Sequence, residues 1–169
     1  MKRIFFLMIT FLALIACAHA QDVTRASAKL ESKSGSQVTG TVTFTKTGDE
    51  VRVVADIQGL KAGKHGFHIH EKGDCSAADA ASAGGHFNPT HQHHGGPSTP
   101  EHHTGDLGNI DADASGKAHL DLKGKMSLNG PDSIIGKSIV VHEKEDDLKT
   151  DPAGNSGARV ACGVINAGD

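Results

Sequence analysis

Gln37-Val38-Thr39-Gly40-Thr41-Val42-Thr43-Phe44, then Thr47-Gly48-Asp49, then Val51-Arg52-Val53-Val54-Ala55-Asp56-Ile57, is the stretch whose reading decides the fold. Val38, Val42 and Phe44 share one parity and polar side chains hold the other, the period-two alternation of a strand with one buried face. Gly48-Asp49 is turn chemistry, so the second run returns as an antiparallel partner. Outward from this hairpin the pattern recurs. Gly66-Phe67-His68-Ile69-His70 sets Phe67 and Ile69 against two histidines. Ala118–Leu122, Ser138–His142 and Ala158–Ile165 are further short runs, separated by the turns Asp113-Ala114-Ser115-Gly116 and Asn129-Gly130-Pro131. No stretch carries a helical period. Many short strands with glycine-rich connections imply an all-β sandwich or barrel. The chain has six Phe and neither Trp nor Tyr. Phe5, Phe6 and Phe11 fall in the N-terminal segment, so Phe44, Phe67 and Phe87 share the core with Val, Ile, Leu and Ala.

The first twenty residues read as an export leader: basic Lys2-Arg3, an apolar run from Ile4 to Ala16, then small residues. Ala18-His19-Ala20 suits cleavage ahead of Gln21, whereas Leu14-Ile15-Ala16-Cys17 resembles a bacterial lipobox that would leave a lipid anchor on Cys17. The apolar run is shorter than the roughly 20 residues that span a bilayer, so no membrane span is expected. Residues 21–169 then form one domain, long enough to bury a real core. Loss of Lys2 and Arg3 leaves 15 basic against 20 acidic side chains, a net charge of −5 with histidine neutral. That balance argues against nucleic acid as a partner. It also requires a local positive patch for any anionic substrate. Cys75 and Cys162 remain as an even pair in an oxidising compartment. A bridge between them would close a loop of more than eighty residues, worth about 4–5 kcal/mol; the alternative is two free thiols acting as soft metal ligands.

Chemistry concentrates elsewhere. Nine of the twelve histidines, at 65, 68, 70, 86, 91, 93, 94, 102 and 103, lie between His65 and Asp106, and His142 ends an apolar strand. Neutral imidazole is the commonest protein ligand for transition metals. His68 and His70, two apart on a strand, point to one side and can hold one metal together. A single tetrahedral zinc site needs four ligands; at least seven good candidates suffice for two metals. The long segments Glu71–Asp106 and Glu143–Gly157 do not read as strands, and structureless segments of this length in a small domain are usually functional or disordered. The histidines decide for function.

Six motifs in order, Gly66-Phe67-His68-Ile69-His70-Glu71, Gly85-His86-Phe87-Asn88-Pro89, His94-Gly95-Gly96-Pro97, Gly105-Asp106-Leu107-Gly108-Asn109, Val140-Val141-His142-Glu143-Lys144 and Ala161-Cys162-Gly163-Val164-Ile165, resemble copper/zinc superoxide dismutase. The close spacing of Cys75 to His70 is similar to that of the bacterial secreted (periplasmic) members. The resemblance implies a Greek-key, immunoglobulin-like β-sandwich or flattened barrel of about eight antiparallel strands with two long functional loops. It implies copper on His68, His70, His86 and His142, and zinc on His86, His94, His103 and Asp106, with His86 bridging both metals. His94 and His103 are preferred over their neighbours His91, His93 and His102 because they carry the flanks Gly-Gly-Pro and Thr-Gly-Asp; the spare rings are then solvated surface groups or a metal-capture device. Asp146, with Asp147 as competitor, would link a copper-side and a zinc-side histidine. Arg159 would dock an anion beside copper, and Cys162 bridged to Cys75 would pin the metal loop to the strand carrying Arg159. His65 and His119 read as structural or exposed.

The implied reaction is dismutation of superoxide to dioxygen and hydrogen peroxide in two half-steps, with His86 leaving copper and carrying a proton between them. The substrate is small and singly charged, so selection falls to channel width and electrostatic focusing, to which Lys144 would add. Against the better-known animal pattern, the segment between Asp146 and Arg159 is short, lacks a glutamate-lysine guiding cluster and has Ala153 where a channel threonine is expected. Steering residues therefore do not carry over, and monomer and homodimer both stay open. The location implied by leader and resemblance together is the bacterial periplasm, where the activity would protect the cell envelope. The competing class is an exported copper/zinc buffer, which would need the ligands but neither Arg159 nor a bridging His86.

Overall fold

A computed structural model describes residues 22–168; the leader reading, with its cleavage and lipidation alternatives, lies outside the described residues. Nine strands are formed: β1 (Arg25–Ser32), β2 (Thr39–Thr47), β3 (Glu50–Gln58), β4 (Gly63–His70), β5 (Asp106–Ala112), β6 (Ala118–Gly124), β7 (Ser138–His142), β8 (Arg159–Val164) and the two-residue β9 (Asn166–Ala167). Helical structure among the described residues is one 3-10 turn at Ala81–Ala83. The hairpin that opened the sequence reading is β2–β3, paired from Thr39↔Gln58 to Thr47↔Glu50. Val42, Phe44, Val51, Val53, Ala55 and Ile57 face inward and are buried.

The strands run β2-β3-β6-β5-β4-β7-β8-β1, and β1 pairs back onto β2, closing an eight-stranded barrel; β9 adds to β1. Because β3 lies beside β6 while β4, β5 and β6 follow in sequence, these four make a Greek key. Three strands are not legible in the sequence: β1, β5 and the two-residue β9. β1 alternates Ala26, Ala28 and Leu30 inward, small residues with a weak signal. β5 begins at Asp106, where the long loop read from the sequence ends, and its Gly108 and Asn109 mask the alternation.

One apolar core fills the barrel, with Phe44, Phe67, Leu30, Ile69 and Ile110 fully enclosed. Truncating either Phe would cost about 3–5 kcal/mol. A second, small cluster of Ala80, Ala83, Val140, Cys162 and Cys75 lies on the outer face of β7 and β8. That cluster is where the first long loop is fastened. β4 is buried on both faces from His65 to His70: Phe67 and Ile69 enter the core, while His68 and His70 are covered from outside by the two loops. The loops roof the outer wall of the barrel, and the site lies under that roof.

Candidate metal centre

Seven candidate ligands converge in two groups of four that share His86. Ring nitrogens of His68, His70, His86 and His142 lie within 4.8 Å of one another, as do ligand atoms of His86, His94, His103 and Asp106. All seven residues are buried. β4 supplies His68 and His70, β7 supplies His142 from its last position, and β5 supplies Asp106 from its first. His86 is drawn in by an isolated bridge to His70, with Phe87 N–H donating to Ile69 O at 2.8 Å. His94 and His103 come from the loop.

In most of these rings one nitrogen bonds to the protein, which fixes which nitrogen is left facing inward. His68 Nε2–H donates to Asp146 Oδ2 at 2.7 Å, and His94 Nε2–H donates to Asp146 Oδ1 at 2.9 Å. His70 Nδ1–H donates to Gly84 O at 2.9 Å and His142 Nδ1–H to Gly157 O at 3.3 Å. The leftover atoms are telling. His68 Nδ1 and His86 Nε2 are buried without a hydrogen-bond partner, and His94 Nδ1 and His103 Nδ1, with no well-aligned bond of their own, lie 3.1 and 3.2 Å from Asp106. His70 Nε2 and His142 Nε2 face each other at 3.4 Å, two lone pairs brought together unless a cation stands near. Buried polar atoms are nearly always satisfied; six inward nitrogens from two sides are satisfied together by two metal ions. The donor sets differ as copper and zinc require: four imidazoles on one side, three imidazoles and a carboxylate on the other.

The electrostatics agree. Burial holds His86 down at about 4 and His142 at about 3, and pushes His70 well below its ordinary value, so these rings are neutral and available to a metal. Burial alone would also lower His94, but hydrogen bonds and charge from Asp106 and Asp146 outweigh it and raise His94 to about 10. Although burial opposes it, His103, His86 and His94 hold the Asp106 carboxyl far below the carboxylate range. Asp146 is likewise lowered, by His68 and His94 against burial. Two carboxylates, each 1% exposed, demand positive charge here; without metal the chain supplies it by protonating His94.

Asp146, not its neighbour, reaches both rings. Asp147 instead organises its own loop, accepting from Lys149 N, Thr150 N, Thr150 Oγ1 and Asn155 Nδ2 at 2.6–3.1 Å. Sequence reasoning missed Asn109, whose amide donates to Asp146 O at 2.9 Å and whose Oδ1 accepts from Asp146 N at 2.8 Å. Those partners are 37 residues apart, and no local signal could have paired them. Gly154 was missed too: it packs flat against the Asp146 carboxylate at φ +61°.

Arg159 opposes His142 in the β7–β8 register. Its Nη1 donates to Ala80 O and its Nη2 to Gly84 O, both at 2.6 Å. Gly84 O thus accepts from Arg159 and from His70 together. Burial draws the guanidinium somewhat below its ordinary value, yet arginine stays charged in proteins, and that charge reaches His70 and His142, helping to keep both neutral. Cys75 and Cys162 are joined by a disulfide, Cα–Cα 5.8 Å, which sets aside the alternative of two free thiols. A cavity of about 320 Å³ opens beside His142, walled by Asp151, Pro152, Ala153, Asn155, Ser156 and Gly157.

The other histidines separate cleanly. His65 is buried, with Nδ1 2.9 Å from His142 O and Nε2 2.9 Å from Lys61 O, a structural tie. His119 is exposed and pairs with Asp56 at 2.7 Å. His93 bonds Asp151, and His102 Nδ1 donates to Thr99 O at 2.9 Å. Neither these two nor His91 joins a metal-holding group among the described residues.

Comparison with known proteins agrees with this geometry. The family profile described as copper/zinc superoxide dismutase (SODC) matches residues 38–165. An extracellular superoxide dismutase [Cu-Zn] of Caenorhabditis elegans is 44% identical over 170 aligned positions, covering 94% of this chain and 76% of that protein. The protein of the same description from Drosophila melanogaster is 48% identical over 138 positions, 76% of each chain. Among solved structures, one described as the crystal structure of the clock protein EA4 superposes with a TM-score of 0.80 at 43% identity, covering 88% of this chain and 98% of that one. A match spanning most of the chain, on a barrel whose buried ligands fall into a four-imidazole and a three-imidazole–carboxylate set, shows that this chain belongs to the copper/zinc superoxide dismutase family, enzymes that use copper and zinc.

Proposed function

We propose that this chain dismutates superoxide in an exported compartment, with His68, His70, His86 and His142 holding copper and His86, His94, His103 and Asp106 holding zinc. The observation that carries the assignment is the set of inward ring nitrogens that meet at His86. When bound, copper supplies the one-electron chemistry and zinc a redox-silent charge.

The chain's own groups do the rest. Arg159, opposite His142 in the β7–β8 register, offers a fixed cation as a docking point for a small anion. Its two carbonyl contacts hold it in place, so little reorganisation is needed when substrate arrives. Two superoxide ions and two protons become one dioxygen and one hydrogen peroxide. His86 Nε2, buried and without a protein partner, is the atom able to take a proton within the site and return it. Asp146 orients His68 and His94 through their outer nitrogens, fixing both tautomers. The cysteine bridge holds the loop that presents Ala80 O and Gly84 O to Arg159.

Export is supported by the leader and by relatives described as extracellular. Those relatives are animal enzymes, so the bacterial, periplasmic form of the reading, and with it protection of the cell envelope, rests on the lipobox-like leader and the Cys75 spacing. The test is metal content with superoxide removal on the purified protein. His142→Ala should lose copper. Arg159→Ala should keep copper and react at least tenfold more slowly at low salt, the scale of electrostatic focusing. Full copper and zinc without turnover in the parent would replace the enzyme by a metal buffer.

A further inference from the structure

Resting on the assignment of His94 to zinc, we propose that Asp151 is a positioning residue that latches the second long loop onto the backbone of His94, so that one carboxylate sets both the seat of that ligand and the wall of the cavity beside His142. Asp151 spends both oxygens on the first loop. Oδ1 accepts from the backbone N–H of His94 at 2.7 Å, and Oδ2 accepts from His93 Nδ1 at 2.7 Å. His94 is thereby gripped at two ends: Asp146 holds its ring, Asp151 its main chain. The next residues, Pro152 and Ala153, form the cavity wall with Asn155, Ser156 and Gly157. A backbone N–H that loses its partner against a largely buried residue is costly, so the latch favours the closed arrangement of both loops. This also gives His93, exposed and outside both ligand groups, a defined place as the outer half of the latch.

The two acceptor bonds are not equivalent, and that makes the idea testable. Asp151→Ala removes both. Asp151→Asn retains a carbonyl oxygen able to accept from His94 N–H, and His93→Ala removes the outer bond alone. The protein is loaded with copper and zinc, and zinc release to a colorimetric chelator is timed; in parallel, cobalt is placed on the zinc side and its visible spectrum recorded. Asp151→Ala should release zinc about tenfold faster or more, the scale of losing an outer-sphere partner, with an altered cobalt spectrum and retained copper. Asp151→Asn and His93→Ala should stay within about twofold of the parent release rate, the amide rescuing what alanine loses. Should Asp151→Ala fail to fold, Asp151→Ser, too short to span both partners, is expected to show the same acceleration. Parental release from a folded Asp151→Ala or Asp151→Ser, or an Asp151→Asn as fast as alanine, overturns this inference alone. A parent that takes up no zinc overturns the metal assignment and the inference with it.

Discussion

Removing the disulfide tests whether stability and catalysis are joined in this fold. The perturbation is Cys75→Ala with Cys162→Ala, which leaves no stray thiol. The bridge spans 87 residues, and closing a loop of that length removes about 4.6 kcal/mol of unfolded-chain entropy. For a domain of this size each kcal/mol moves the midpoint by about 2–4 °C, so the metal-free variant should melt roughly 9–18 °C below the parent. The loss should not stop at stability. Cys75 and Cys162 sit in the small cluster with Ala80, Ala83 and Val140, and that loop carries the two carbonyls that hold Arg159. Freed from the bridge, the guanidinium loses its fixed seat, and His70 loses a firmly held partner in Gly84 O. Calorimetry of the metal-free protein, copper content, and dismutation rate against ionic strength together form the assay. The expected result is a lower midpoint, near-parental copper, and a slower rate with a weaker salt dependence. A midpoint within about 3 °C of the parent would refute the loop-closure account. A large drop in midpoint with parental rate and salt dependence would refute the coupling to Arg159.

Two further perturbations follow from the site. Gly154→Ala forces a left-handed backbone, worth about 1–2 kcal/mol, and its Cβ would overlap Asp146 Oδ1 and stand 2.8 Å from His94 Nε2. Displacing that carboxylate should weaken metal binding about 10–100-fold, the cost of losing an outer-sphere partner; equilibrium dialysis at parental affinity would exclude it. The metal-free protein should show a stability maximum near pH 6.5, the ordinary value for histidine. His86 at about 4 and His142 at about 3 are depressed by burial, so their contribution is complete above 6.5 and is lost as pH falls through those values. His94, raised to about 10 against its burial by Asp106 and Asp146, works oppositely: its contribution is complete below 6.5 and is lost as pH rises toward 10. Thermal melts from pH 4 to 9 that stay flat between pH 5 and 9 would contradict this.

The sequence by itself determined six of the barrel's strands, and its family resemblance named the seven residues that the fold gathers into the two candidate groups. Alternation is a local property, so β2, β3 and β4 could be read from side-chain parity, and His68 and His70 were necessarily on the face opposite Phe67 and Ile69. Where parity was written in small residues, as in β1, or interrupted by Gly108, as in β5, it could not be read. Only the tertiary structure decided between Asp146 and Asp147, because choosing between adjacent carboxylates depends on which one the chain turns toward rings 52 and 78 residues away. It alone revealed that Asn109 holds Asp146, that Gly84 O is shared by His70 and Arg159, and that Asp151 clasps the backbone of His94. These are contacts between segments that approach only after the barrel closes. Hydrogen bonds depend on position in space to within a few tenths of an ångström, and no pattern along a chain encodes that directly.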